Sequence, residues 1–315
     1  MTSTTGDTDT VTNTQEFTFG YHLNNWDLAG LPAEDGLEAI QRNGFRYVEA
    51  LARDDLSRDF SRRYMGTGDK PVPMGTTDVA FLTRVALFSR AAERGLELSS
   101  LYCNREFVNP LSWEYELATM DSITRILAGF GAPGLVLGGG PPARGGADHE
   151  PDLYRRFAAS LREIGERAGE RGMWVAYHPH IDTFIETREQ LDRLMNELDD
   201  GPAGLCIDIA HLMMAGSDPV AAIRDYASVL KYVHYKDVAD QTGISGPARF
   251  ASFRPLGDGI VDIPAVTAQL LADRYDGIVI IELDSTDEAP EDALKASVAY
   301  IESLGLTLRP ESSTR

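Results

Sequence analysis

Eight times along the chain, a short apolar run is followed by a stretch of helical periodicity. The runs are FTFGYHLNNW (17–26), FRYVEAL (45–51), LELSSLYCN (96–104), GLVLGGG (134–140), WVAYHPH (174–180), GLCIDIAH (204–211), LKYVHYKD (230–237) and GIVIIELD (277–284). Near-continuous apolar runs mark strands covered on both faces, as in a parallel sheet between helices. The intervening helices are expected near 33–43, 77–94, 151–171, 186–198 and 290–303, with Asp218 before Pro219 and Asp262 just before Pro264 as further helix starts. Open doubly wound sheets usually have about five or six strands, so eight such units predict a closed barrel. The expected fold is therefore α/β: a single-domain (β/α)8 TIM barrel over 16–310, preceded by a disordered tail, 1–15. A chain of 315 residues suits that architecture.

Composition narrows the function. The two cysteines are too few for a disulfide framework, and Cys103 and Cys206 lie in or beside apolar runs, so both are expected as buried free thiols. There is no apolar run of about 18 residues, and MTSTTGDTDTVTNTQ lacks the basic and apolar segments of a signal peptide; a cytoplasmic location is expected. The formal net charge of -20 repels phosphate backbones and anionic lipid, which argues against nucleic acid and membrane as partners. GLVLGGGPPARGG is rich in glycine, but it has neither dinucleotide-fingerprint spacing nor a Lys and Ser or Thr after a phosphate loop.

The histidines carry the strongest signal. Of six, only His149 falls in a loop; His22 lies in the first run, His178 and His180 end the fifth, His211 ends the sixth and His234 lies near the end of the seventh. Carboxylates fall in the same places: Glu49, Asp208, Asp237 and Glu282. A buried histidine or carboxylate is costly without a partner, and the carboxyl ends of barrel strands are where active sites form. Side chains alternate along a strand, so His178 and His180 share a face, His234 points inward while Val233 and Tyr235 meet the helices, and Glu282 shares a face with Ile280 and Asp284. His178, Asp208, His234 and Glu282 then form a candidate nitrogen and oxygen metal site, a donor set suited to Mn, Zn, Co or Fe.

With those residues placed, the chain resembles the xylose-isomerase-like superfamily of sugar isomerases, epimerases and dehydratases. The segments YHPHIDTFIETREQLDRLM, CIDIAHLMMAGSDP, VLKYVHYKDV, FRPLGDGIVDIP and YDGIVIIELD are similar to the inosose dehydratase branch. The resemblance implies the barrel over about 17–305 and four metal ligands, one from each of the last four strands. In the superfamily these run Glu, Asp, His, Glu; here they fall on His178, Asp208, His234 and Glu282, and His180 and Glu186 remain alternatives to His178. The Asp-x-x-His pattern falls on Asp208 and His211, and that histidine is implied to contact substrate oxygens. The dehydratase branch often has Asp-Thr-Gly-His where this chain has Asp208-Ile-Ala-His211.

The chemistries implied all begin with loss of a proton alpha to a carbonyl. A divalent ion, Mn2+ first and Co2+ or Zn2+ next, lowers the cost of the carbanion. His180 and Glu186 are the candidate proton-transfer pair, and Lys236 either stabilises the oxyanion or faces the helices. The expected substrate is a small polyhydroxylated carbonyl compound, a keto-cyclitol or 3-keto-sugar that undergoes elimination. The alternatives are ketose 3-epimerisation or isomerisation, hydrolysis, and a non-enzymatic barrel scaffold. Catalytic subunits of C-glycoside deglycosidases share the resemblance. A metal-dependent endonuclease on this fold would need more ligands and a basic face. A homodimer or homotetramer is expected, with a partner subunit left open. The segment 52–76 is a candidate interface, lid or solvated loop.

Overall fold

The computed structural model describes residues 14–52, 86–140, 151–199, 201–285 and 287–310. Eight parallel strands close into a barrel: β1 (Thr18–His22), β2 (Tyr47–Leu51), β3 (Glu97–Arg105), β4 (Gly134–Gly139), β5 (Trp174–Tyr177), β6 (Ala203–Asp208), β7 (Leu230–Tyr235) and β10 (Ile278–Ile281), which pairs with β1. β8 (Asp237–Val238) and β9 (Phe253–Arg254) form a small antiparallel pair on the loop after β7. The predicted single-domain (β/α)8 barrel is the observed fold.

The helices are α1 (Asn24–Leu28), α2 (Ala33–Arg42), α3 (Trp113–Gly129), α4 (Pro151–Gly169), α5 (Arg188–Leu198), α6 (Ile209–Met214), α7 (Pro219–Asp225), α8 (Ile263–Ala272) and α9 (Pro290–Ser303), with a further helical segment over 86–93. Local sequence explains their starts. Thr187 and Gln190 form a reciprocal capping box on α5, and Asp218 and Asp262 cap α7 and α8 ahead of Pro219 and Pro264.

Side-chain alternation divides the core in two. Val233, Tyr235, Leu205 and Ile207 face outward into the layer between strands and helices. Inside the barrel, Val136, Ala176, Cys206, Tyr232, Ile278 and Ile280 form a separate apolar plug.

At their carboxyl ends, five strands fall short of the sequence reading by two or more residues; the seventh stops at Tyr235 and the eighth at Ile281, so Lys236, Glu282 and Asp284 follow their strands. The first strand stops at His22 instead of running to 26, because the chain turns into α1. The sixth stops at Asp208, whose side chain accepts the N–H groups of Ala210 and His211 and starts α6. His211 is therefore in a helical turn, not at a strand end. The fifth stops at Tyr177, which places His178 and His180 in the turn that follows. The expected tail falls mostly outside the described residues, as do His149 and nearly all of 52–76.

Candidate metal centre

Four side chains converge at the carboxyl mouth directly above the plug. Register fixes two of them: Asp208 pairs with His234, and His234 with Ile280, two residues before Glu282. His178 follows β5, its backbone N–H donating to the Leu137 carbonyl. One ligand atom from each of His178, Asp208, His234 and Glu282 lies within 4.8 Å of all the others. All four residues are buried.

The hydrogen bonds around them are incomplete in a telling way. Asp208 Oδ1 accepts two backbone N–H groups at 2.9 Å, while its Oδ2 accepts none. Glu282 Oε1 accepts from Asn24 at 3.0 Å, while its Oε2 is likewise unsatisfied. His178 Nδ1 and both ring nitrogens of His234 also lack hydrogen bonds of good geometry. The Lys236 ammonium lies within 3.1 Å of both carboxylate oxygens without forming a hydrogen bond to either, and buried polar atoms that lack hydrogen bonds call for a partner. Two imidazoles and two carboxylates turned toward one point suit a divalent cation, so the residues fit the metal that the fold family implies.

Neighbours orient this set. His234 Nε2 lies 2.8 Å from Glu49 Oε2 and its Nδ1 lies 2.8 Å from Glu282 Oε2. Glu49 thus stands behind the ring, in the place of the carboxylate that commonly fixes a metal-binding histidine. Burial disfavours the charged form of His234, yet Cys206, Glu49 and Glu282 together hold it well above the ordinary imidazole value. His22 Nε2 lies 3.9 Å from both Glu49 and Glu282. Burial raises the cost of ionising Asp208 and Glu282, but the Lys236 ammonium, with nearby imidazoles, holds both well below the carboxylate range.

Lys236 does not face the helices, which corrects the alternation argument. β7 ends at Tyr235, and the buried ammonium reaches the mouth. It hydrogen-bonds His211 Nε2 (3.1 Å) and Asp284 Oδ2 (2.8 Å), and pairs with Asp208 Oδ2 (3.1 Å) and Glu282 Oε2 (2.9 Å).

The His180 and His211 rings lie against each other, centroids 3.7 Å apart. His180 Nδ1 lies 2.7 Å from the Ile181 carbonyl. A carbonyl only accepts, so the proton is on Nδ1 and Nε2 carries the lone pair. Burial, then His178 and Lys236, lowers the His180 pKa below the usual value; burial, then His180 and Lys236, lowers His211 further. Glu186 sits at the rim: one oxygen pairs with Arg249 at 3.0 Å and the other accepts the Asp182 N–H. Asp237, also a strand-end carboxylate in the sequence, accepts the N–H groups of Val238, Gly257, Gly259 and Val261 and organises the loop after β7.

Sequence reasoning missed Asn24, which holds Glu282 and Asp284, because the first strand was read as running through it. It also missed Phe250, stacked on His180, and Phe253, against His211 and Lys236. Phe250 lies in a short helical turn and Phe253 in β9, both on the long connection after β7, which gave no periodic signal.

A closed parallel barrel with a buried His and carboxylate cluster at its carboxyl mouth defines a class of metal-site barrels. Residues 37–304 match the family described as xylose isomerase-like TIM barrel, and the chain belongs to that family. An inosose dehydratase of Lacticaseibacillus casei is 31% identical over 142 residues, 42% of this chain and 48% of that protein. The chain spans about half the length of the curated relatives it matches. Two solved structures share the fold. One is the probable 3-DHS dehydratase AsbF of Bacillus anthracis (TM-score 0.70, 15% identity, 91% of this chain and 99% of that one). The other is the 3-keto-D-glucoside 4-epimerase YcjR of E. coli (TM-score 0.65, 20% identity, 91% and 99%). Among the described residues, no helix is long and apolar enough to cross a membrane.

Proposed function

We propose that this protein is a divalent-metal-dependent lyase that eliminates from a keto-cyclitol or 3-keto-sugar after removing the proton alpha to its carbonyl. The carrying observation is the convergence of four buried ligand groups, from His178, Asp208, His234 and Glu282, each with an atom that makes no hydrogen bond, beside an imidazole with a free lone pair. These four residues would hold the metal, Mn2+ by preference and otherwise Co2+ or Zn2+. When bound, such an ion supplies Lewis acidity to the substrate carbonyl.

His180 Nε2 takes the alpha proton. Its lowered pKa keeps it unprotonated at neutral pH, and the Ile181 carbonyl fixes the tautomer. The electron pair of the broken C–H bond forms the new C=C bond, and the C–O bond at the beta carbon breaks. The departing oxygen takes a proton and leaves as water or as the hydroxyl of an aglycone. Glu186 is the group proposed for that second proton; its pair with Arg249 must open and its carboxylate must take up a proton from water before it can deliver one. His211, neutral and buried, would hold a substrate hydroxyl. Phe250 stacks on the His180 ring and Phe253 packs edge-on against His211, giving the histidine pair an apolar side. The dehydratase relatives support elimination over epimerisation, which shares only the first step.

The test is incubation of Mn2+-loaded protein with inosose, 3-keto-glycosides and free ketoses in deuterated water, with products read by mass and NMR. Loss of water or aglycone is expected, and it should vanish in His180→Ala. Deuterium at an inverted, retained carbon would assign epimerisation instead; no exchange with any substrate would reject both.

A further inference from the structure

Beside the four proposed metal ligands, a second group of potential ligands stands at the mouth: His180, His211 and Asp284, with one donor atom from each within 4.8 Å of the others. Two observations distinguish it from a chance cluster. His211 is 1% exposed, and its Nδ1 has no hydrogen-bond partner. In addition, a cation is already there. The Lys236 ammonium hydrogen-bonds two of the three members, His211 Nε2 and Asp284 Oδ2, and pairs with Asp208 and Glu282 of the first group.

We infer that His180, His211 and Asp284 form a second cation position and that Lys236 fills it, so that the protein takes one divalent ion where its ligands could otherwise take two. Charge supports this assignment. Glu49, Asp208, Glu282 and Asp284 bring four carboxylates to the mouth against the ammonium of Lys236 and the His234 imidazole. That excess suits further positive charge, while a divalent ion held by Asp208 and Glu282 would be repelled by the ammonium that already pairs with both carboxylates. A covalently tethered charge also differs from a metal in kind: it cannot be lost to a chelator. It lends no Lewis-acid site to a second substrate oxygen, so His180 and His211 are left as imidazoles free to handle protons and hydroxyls.

This inference rests on the metal reading of the first group, and the experiment separates the two. Cobalt bound per chain is measured by elemental analysis and by isothermal titration for wild type, Lys236→Ala, Lys236→Met and Lys236→Ala/His211→Ala. Wild type should hold one Co2+. Lys236→Ala, which removes both charge and volume, should hold two, the second adding its own visible absorption bands. The double variant should return to one. Lys236→Met keeps the volume without the charge, so it should stay at one and bind that ion at least about tenfold more tightly. It also provides the reading if Lys236→Ala does not fold, because unchanged affinity in Lys236→Met rejects the inference. One ion in both wild type and Lys236→Ala, or a second ion that persists without His211, likewise rejects the second position and leaves the first intact. No ion in wild type would instead count against the metal reading itself.

Discussion

Inside the barrel, the plug and the mouth are built by the same strands, and two residues separate them. Ala176 lies in the plug and His178 at the mouth; so do Cys206 and Asp208, Tyr232 and His234, and Ile280 and Glu282. Cys206 and Asp208, and Tyr232 and His234, share a strand face, because side chains repeat at every second position, while His178 and Glu282 stand just past the ends of β5 and β10. Below, apolar side chains fill the interior, as barrel closure requires. Above, polar side chains occupy equally buried space, with several of their atoms unsatisfied. The plug is thus apolar packing and the mouth the proposed site of chemistry, and on that reading a substitution's effect should change in kind within two residues.

The sharpest break between the layers is His234→Ala. Metal content should fall from one ion per chain to near none, and turnover by on the order of a thousandfold, with thermal stability in chelator also reduced because Glu49 and Glu282 lose their imidazole partner. Elemental analysis and denaturation with chelator present test this; unchanged metal content would dissolve the distinction. Glu49→Gln probes the support behind the ring. It should weaken metal affinity by about 10–100-fold while leaving the ligands in place, a change that titration calorimetry resolves.

Asp237→Ala should act on the fold alone. It strips four backbone N–H groups of their acceptor and should cost about 3 kcal/mol in urea unfolding, with metal stoichiometry unchanged. In the plug, Ile280→Val should cost only about 1 kcal/mol, again without touching metal content. Loss of metal in either variant would mean that the two layers are not separable.

Much of this division is legible in the sequence, since apolar runs interrupted near their ends by His, Asp and Glu give both the barrel and its mouth. Asp208 and Asp237 show the limit. Each is a carboxylate closing an apolar run, yet Asp208 turns toward the imidazoles and Lys236, while Asp237 turns away to collect backbone donors. What separates them is the turn that follows. After Asp208 a helix begins at once; after Asp237 the loop folds back so that Gly259 comes too close for a Cβ, which would sit 2.1 Å from Asp237 Oδ1. Such returns depend on tertiary packing, as does the reach of Lys236, which alternation alone points the wrong way. Glu186 shows the same limit, because its Arg249 partner lies 63 positions further along the chain.

The seam of the barrel has a consequence for chain order. Gln15 donates to the Thr307 carbonyl and accepts the Thr307 N–H, and the Phe19 N–H donates to the Leu308 carbonyl. Residues at opposite ends of the described chain thus meet beneath the β1–β10 junction. A ring of strands has no intrinsic first member, and here the segments at 15–19 and 307–308 are already stitched together by hydrogen bonds. A short peptide joining the two sides at this seam, with new ends opened in the loop between α8 and β10, would reorder the gene while keeping every strand pair and the whole mouth in register.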